Sequence, residues 1–314
     1  MAWLICPVFG VYATGGRAQE NRGDARNSSG GRVRRGGVRS VTIPVTINPR
    51  GARSEQELVA VDFTVTEDNE EQSLLSVRGQ DTTPLSLAIL IQDDLISPVS
   101  NEIPLIADFI RRQPRGTRVL VGYLRAGSLQ VRQRFTTDLE RAAGSLRIPV
   151  GSPSVSPYNP YVEIIEALKR FESLPLGRRA IIVVSDGLDV SRGVDSASPS
   201  QSLDLQRAIN EAQRRGVAVY SLYAPTVSTA SGGVLVSYGQ GSLNRISDET
   251  GGRAFFQGTN APVSFDAYFK DLSMMLKRQI ALTYLSTHPS GGFHRISVTT
   301  PGNVEVRFPA GYIR

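Results

Sequence analysis

The stretch Leu85 to Ser97, read as LSLAILIQDDLIS, constrains this chain more than any other. Its apolar residues run from Leu85 to Ile91 without the alternation of a half-exposed strand, then meet Gln92, Asp93 and Asp94. A strand buried on both faces reads this way, and such strands belong to parallel sheets covered by helices. Ligands of open α/β sheets gather at the carboxyl ends of strands, so the three polar residues mark a candidate site.

A second run of the same kind, Ala180 to Ser185 (AIIVVS), ends at Asp186-Gly187. Around these two strands the pattern alternates. Apolar spacing predicts helices over 102–113, 137–146, 162–171, 203–215, 242–250 and 263–278, with strands over 117–124, 129–135, 217–222 and 254–256. Helices and strands in this order predict an α/β fold with a doubly wound, mostly parallel sheet.

The flanks differ. Residues 41–47 (VTIPVTI), 58–66 and 73–77 are short and β-branched, as are 280–286, 294–299 and 304–308. Neither flank can bury a core alone, so the two are expected to pack together as one small β module. The expected organisation is a secretory signal over 1–18, a basic linker over 19–40, a β segment over 41–80, the α/β domain over 81–279, and a closing β segment over 280–314.

The signal reading rests on the apolar run from Ala2 to Ala13 followed by small residues to Ala18, although a basic n-region is missing; the alternative is a disordered N-terminus. The single cysteine, Cys6, lies in that segment, so a processed chain has no disulfide and no thiolate metal site. Charge is uneven. Residues 1–50 carry eight arginines against Glu20 and Asp24, leaving 27 basic and 27 acidic residues for the rest, so nucleic-acid binding by the globular body has no electrostatic support. The run RVRRGGVR reads either as a solvated tail or as a contact for acidic surfaces. No integral membrane span is expected in the mature chain, because no run beyond the signal segment reaches the ~18 apolar residues that a span needs.

The order of elements, with a buried strand ending in acid, a hairpin excursion and a second buried strand ending VVSDG, resembles the von Willebrand factor type A domain. More narrowly, VTIPVTI, DFTVTEDN, GYLRAGSLQV and the closing β segment are similar to the von Willebrand A-related extracytoplasmic proteins of acidobacteria and similar bacteria. The resemblance covers roughly residues 41–308, and VTEDNEEQ, the Leu85 strand and VVSDGLD are its most specific parts. It implies a metal-ion-dependent adhesion site built from Asp-x-Ser-x-Ser after the first strand, a threonine from a middle loop, and an aspartate after the fourth strand. A hard ion such as Mg2+ takes about six oxygens there, with one position open for a partner's carboxylate.

The motif is degenerate here. One register places Gln92, Asp94 and Ile96 on the three ligand positions; a one-residue shift places Asp93, Leu95 and Ser97 there and requires a bulge. The middle loop corresponds to Gly151–Pro160, where Ser152, Ser154 or Ser156 offers a hydroxyl, and Asp186 matches the last aspartate. The expected metal ligands are thus Asp94, Asp186, Gln92, Asp93 and Ser97. The competing reading is structural, with Asp94 capping a loop and Asp186-Gly187 making a strand-ending turn.

Other chemistry is thin. His288 and His294, the only histidines, read as surface residues of the last β segment. Asp189 and Asp195 read as solvated loop acids, and Tyr158, Tyr161, Tyr220 and Tyr223 as either contact-surface or core residues. Nucleophile-elbow, dinucleotide and P-loop motifs are absent from the sequence. The expectation is a non-enzymatic, extracytoplasmic module that binds another protein, aided by Mg2+ or not. The alternatives are a metal-dependent hydrolase and a purely structural envelope module.

Overall fold

The computed structural model describes residues 38–49, 62–230, 233–256, 258, 264–301 and 304–314, without the side chains of Pro49, Ser97 and Asp195. The signal expected over 1–18, and the linker over 19–40 up to residue 37, lie outside the described residues, as do residues 58–61 of one expected strand.

The elements in chain order are β1 (Arg39–Pro49), β2 (Thr64–Glu67), β3 (Glu70–Arg78), β4 (Ser86–Gln92), α1 (Ile103–Arg111), β5 (Arg118–Arg125), β6 (Ser128–Thr136), α2 (Leu139–Gly144) and α3 (Pro160–Lys169). They continue as β7 (Arg179–Ser185), α4 (Leu203–Arg215), β8 (Ala218–Tyr223), α5 (Val234–Glu249), β9 (Ala254–Phe255), α6 (Asp266–Lys277), β10 (Gln279–Ser286), β11 (Phe293–Thr299), β12 (Val304–Arg307) and β13 (Gly311–Ile313).

Two sheets form. The first has the order β6-β5-β4-β7-β8-β9, parallel except for the hairpin strand β6 at one edge. Every residue of β4 is buried, and its side chains divide between two layers. Leu87, Ile89 and Ile91 pack with Ile106 and Ile110 of α1 and Leu272 of α6; Ala88 and Leu90 pack with Ile164 and Leu168 of α3 and Ile209 of α4. The uninterrupted apolar run of β4 has this cause: a strand with helices on both sides has no wet face. Each such fully buried Leu or Ile stabilises the fold by about 1.5–3 kcal/mol.

The second sheet is antiparallel, in the order β12-β1-β10-β3-β2-β11-β13. It interleaves the two ends of the chain: β1 pairs with β10 from Arg39↔Ser286 to Thr46↔Gln279, and β10 pairs with β3. Neither chain end could form it alone, which is the joint β module expected from the flanks. β13 was not anticipated. Only three residues long, it pairs with β11 and places Tyr312 opposite His294.

One helix differs from expectation. α5 begins at Val234 rather than near 242, because its interior Gly239 and Gly241, poor helix formers, are required by close approach. A Cβ at Gly239 would run into the Asp186 carbonyl oxygen, and one at Gly241 would press on Pro199. No helix among the described residues is long and apolar enough to cross a membrane.

Candidate functional site

In the order β6-β5-β4-β7-β8-β9 the chain leaves β4 toward one edge and β7 toward the other, so the crevice between the carboxyl ends of these two strands is the topological switch point. Parallel pairing sets Ile91 beside Val184, which brings Gln92 next to Ser185 and the acids just beyond both strands together. A pocket of about 240 Å3 opens there, with Gln92, Asp94, Ser156, Asp186, Thr226 and Ser228 in its polar lining.

Its polar groups are bonded to one another. Gln92 Nε2 donates to Asp94 Oδ1 at 2.8 Å, while Gln92 Oε1 accepts from the Ser185 hydroxyl and from the Asp186 amide at 3.3 Å. Asp186 Oδ1 accepts from the Leu188 amide at 3.1 Å, and Asp186 Oδ2 from Thr226 Oγ1 at 2.8 Å. Burial pushes the Asp186 carboxyl up to about 6, with the Asp94 charge adding to the rise against the Leu188, Thr226 and Gln92 hydrogen bonds. Burial also raises Asp94, against hydrogen bonds from Gln92 and Ser156. Two carboxyls in this setting disfavour double ionisation and favour a proton or a bound cationic group.

Asp93 does not share the pocket. Successive residues at a strand end point opposite ways, and Asp93 meets Arg147 in a two-pronged pair at 2.6 and 2.8 Å, with Arg125 at 3.1 Å and the Val150 amide at 3.1 Å. Burial works to raise this carboxyl, but the Arg147 and Val150 hydrogen bonds and both guanidinium charges outweigh it and hold Asp93 below the usual carboxylate range. The Arg147 guanidinium in turn lies 4.0 Å from the Tyr123 ring centre. Of the two registers weighed for the motif, the geometry has Gln92 and Asp94 in the pocket, and Leu95 buried in a bridge to Thr226. The Ser97 side chain lies outside the described residues.

Ser156 is the middle-loop hydroxyl that reaches the pocket; Ser152 and Ser154 bond to each other at 2.9 Å. Asp189 is not solvated. It is buried, accepting from Ser191 and from Ser202 at 2.7 Å, and so ties its loop to the start of α4. Thr226 was missed. Its only signal in the sequence is position, just beyond the end of β8, the fourth parallel strand. The turn itself is fixed by Gly187, whose φ of +71° suits glycine and whose carbonyl accepts from Tyr161 at 2.6 Å.

No protein-family model matches the chain, and no curated protein matches it. Solved structures do. An aerotolerance-related membrane protein from Bacteroides fragilis is 15% identical, with 61% of this chain and 98% of that one covered at a TM-score of 0.43. BatB from Bacteroides thetaiotaomicron is 17% identical over 62% of this chain and 100% of that one, TM-score 0.41. A von Willebrand factor type A protein from Catenulispora acidiphila is 10% identical over 85% and 74%, TM-score 0.43. Such likenesses concern fold alone.

The α/β unit has the doubly wound, mostly parallel sheet expected from the sequence. In the adhesion site that the sequence resemblance implies, oxygens surround a hard cation. Here the donor set does not fit one: the group at the first ligand position is an amide whose Nε2 already lies on Asp94, and its one oxygen already accepts two hydrogen bonds. For Mg2+ to bind, Gln92 would have to leave Asp94.

Proposed function

We propose that this chain is a non-enzymatic, exported protein-binding module that takes a partner's basic side chain into the pocket above β4, β7 and β8. One observation carries the reading: the mouth of the pocket is apolar and open, while its floor is a pair of carboxyl groups. Tyr158 and Val194 line it and are 56% and 47% exposed; Val227 and Val234, next in sequence to lining residues, are 58% and 55% exposed. Large apolar side chains held in solvent around a polar centre are how contact surfaces are built. A lysine or arginine tip would answer the Asp94–Asp186 pair, and its aliphatic stem would cover the rim. Catalysis lacks a second support: His288 and His294 lie beside and in the antiparallel sheet, and the hydroxyl bonded to Asp186, that of Thr226, is buried. Export rests on the residue 1–18 pattern.

The test is selection of a displayed random-peptide library on the purified chain, with counter-selection on Asp186→Ala and Tyr158→Ala. Basic peptides that bind the wild type, lose binding to both variants and are indifferent to chelator support the reading. Acidic peptides that need Mg2+ would replace it with metal-assisted adhesion, and no enrichment would overturn it.

A further inference from the structure

The antiparallel sheet curls far enough that the side chain of Glu67, on β2, touches both Ser286 of β10 and Tyr312 of β13, each at 2.9 Å from Oε1. The two-residue turn Asp68-Asn69, with φ of +49° and +71°, joins β2 to β3 and puts a second carboxylate beside the first. His288, just after β10, and His294, on β11, complete the group. Both histidines of the sequence are therefore here, and His294 is buried, contrary to the surface reading.

Three features distinguish this group from an ordinary ion pair. Single ligand atoms of Glu67, Asp68 and His288 lie within 4.8 Å of one another; a tetrahedral ion with bonds of ~2.0–2.2 Å draws its donors to about 3.3–3.6 Å, a spacing that Glu67 Oε1 and His288 Nδ1 already have at 3.3 Å. The Glu67 side chain is fully buried, yet its Oε2 has no hydrogen-bond partner, and neither has the buried Nδ1 of His288, 3.3 Å from Glu67 Oε1. Finally, His294 Nε2 sits 3.1 Å from the Ser290 carbonyl, which can only accept, so Nε2 carries the proton. The other ring nitrogen, Nδ1, faces Asp68 Oδ2 at 2.7 Å and Glu67 Oε1 at 3.6 Å. A lone pair facing a carboxylate at that distance needs a cation, a proton or a metal ion, to join the two. A second proton would serve His294 and Asp68, but it would leave Glu67 Oε2 and His288 Nδ1 unanswered. One divalent ion answers Glu67, Asp68 and His288 together, and His294 Nδ1 joins them as its 2.7 Å contact with Asp68 opens to donor spacing.

We propose that Glu67, Asp68, His288 and His294 form a binding site for a zinc-class divalent transition metal that joins the N-terminal hairpin to the C-terminal strands. Two carboxylates neutralise the ion and two neutral imidazoles complete a tetrahedral set of nitrogen and oxygen donors, which suits Zn2+ over the all-oxygen preference of Mg2+ or Ca2+. The carbonyl of Ser290 orients His294, as the outer partners of metal-bound histidines do. The site is independent of the pocket at Asp94 and Asp186.

The test is competition of the tag-free, chelator-stripped full chain against a chromophoric chelator for Zn2+ at neutral pH, together with the visible spectrum of the Co2+ form. Expected is one equivalent bound, a four-coordinate Co2+ spectrum without the near-ultraviolet thiolate band that Cys6 would give, and a higher melting temperature with Zn2+. His288→Ala, at a partly exposed position, should weaken binding at least about tenfold, and His294→Ala likewise. Asp186→Ala should leave the single equivalent intact. Absence of saturable Zn2+ binding overturns the site, as does binding retained at full strength in both histidine variants, a thiolate band, or loss of binding in Asp186→Ala.

Discussion

At the carboxyl edge of the α/β sheet, neighbouring acids meet different answers. Asp93 is held ionised by two arginines, while Asp94 and Asp186 face each other across the Gln92 amide with their carboxyls raised. In the antiparallel sheet, Glu67 is as buried as Asp93; its Oε1 accepts from two hydroxyls and its Oε2 from nothing. The difference is architectural. Loops beyond parallel strands converge from several directions and can bring guanidiniums and amides to one carboxylate. The interior of a curled antiparallel sheet is reached only by side chains from its own walls, so a buried anion there depends on hydroxyls, imidazoles or an ion.

The sharpest way to break this comparison is to remove the arginine. Asp93 has a fully buried side chain, and Arg147 supplies both prongs of its main pair. Leaving such a charge partly unanswered should cost about 3 kcal/mol in Arg147→Ala, read as a lower urea midpoint. Adding Asp93→Asn should restore part of the loss, because the amide carries no charge to strand. A cost within measurement error would show that Asp93 is neutral or solvated, and the contrast with Glu67 would collapse.

Next in size is Gly239→Ala. Its Cβ would meet the Asp186 backbone oxygen, so the helix or the strand end must shift, at about 2 kcal/mol by the usual cost of overpacking. Because the shift falls on Asp186, peptide binding at the pocket should weaken more than stability alone predicts, whereas Zn2+ binding should be unchanged. Equal loss at both places would mean that the two regions are not independent.

How legible these regions were follows from the range of the contacts that make them. β4 and β7 could be read because burial on both faces leaves an uninterrupted apolar run, and their adjacency places Asp94 and Asp186 together. Thr226 could not be read, since a hydroxyl in the Ala-Pro-Thr turn after β8 looks like any other turn residue until the fold sets it 2.8 Å from Asp186. The Glu67 group was illegible for a stronger reason. His294 and Asp68 are separated by 226 positions, and only the register of non-local antiparallel pairing brings them into contact. Two histidines six apart carry no trace of that register, so a surface reading was the natural one.

The third prediction separates Asp93 from Asp186 by pH. Asp186 is raised from 3.8 to about 6, so between those values the folded chain keeps a proton that the unfolded chain has released, and stability falls as pH rises through this window and levels off above it. Asp93 is depressed, so its contribution is present above the ordinary aspartate value and is lost only as pH falls through its lower folded value. The wild type should lose up to about 1.4 kcal/mol per pH unit across the Asp186 window, and Asp186→Asn should lose less. Urea midpoints measured across that window decide it: parallel profiles for the two proteins would mean that the pocket does not hold the proton on Asp186.

The smallest effect sharpens the comparison from the surface. Asp138 accepts from the Arg141 amide at 2.9 Å as the N-cap of α2, so here an anion is answered by the backbone itself, with solvent at hand. Asp138→Ala should cost about 1 kcal/mol, and Asp138→Asn much less, because the amide oxygen still caps the helix. If charge rather than the hydrogen bond were what mattered at this acid, the two variants would be equally destabilised. A small loss for the alanine variant and almost none for the asparagine variant would place Asp138 at the neutral-acceptor end of the series. Asp93 would then stand at the opposite end, as the acid whose charge must be matched by a cation, with Glu67 between them until an ion is shown to complete it.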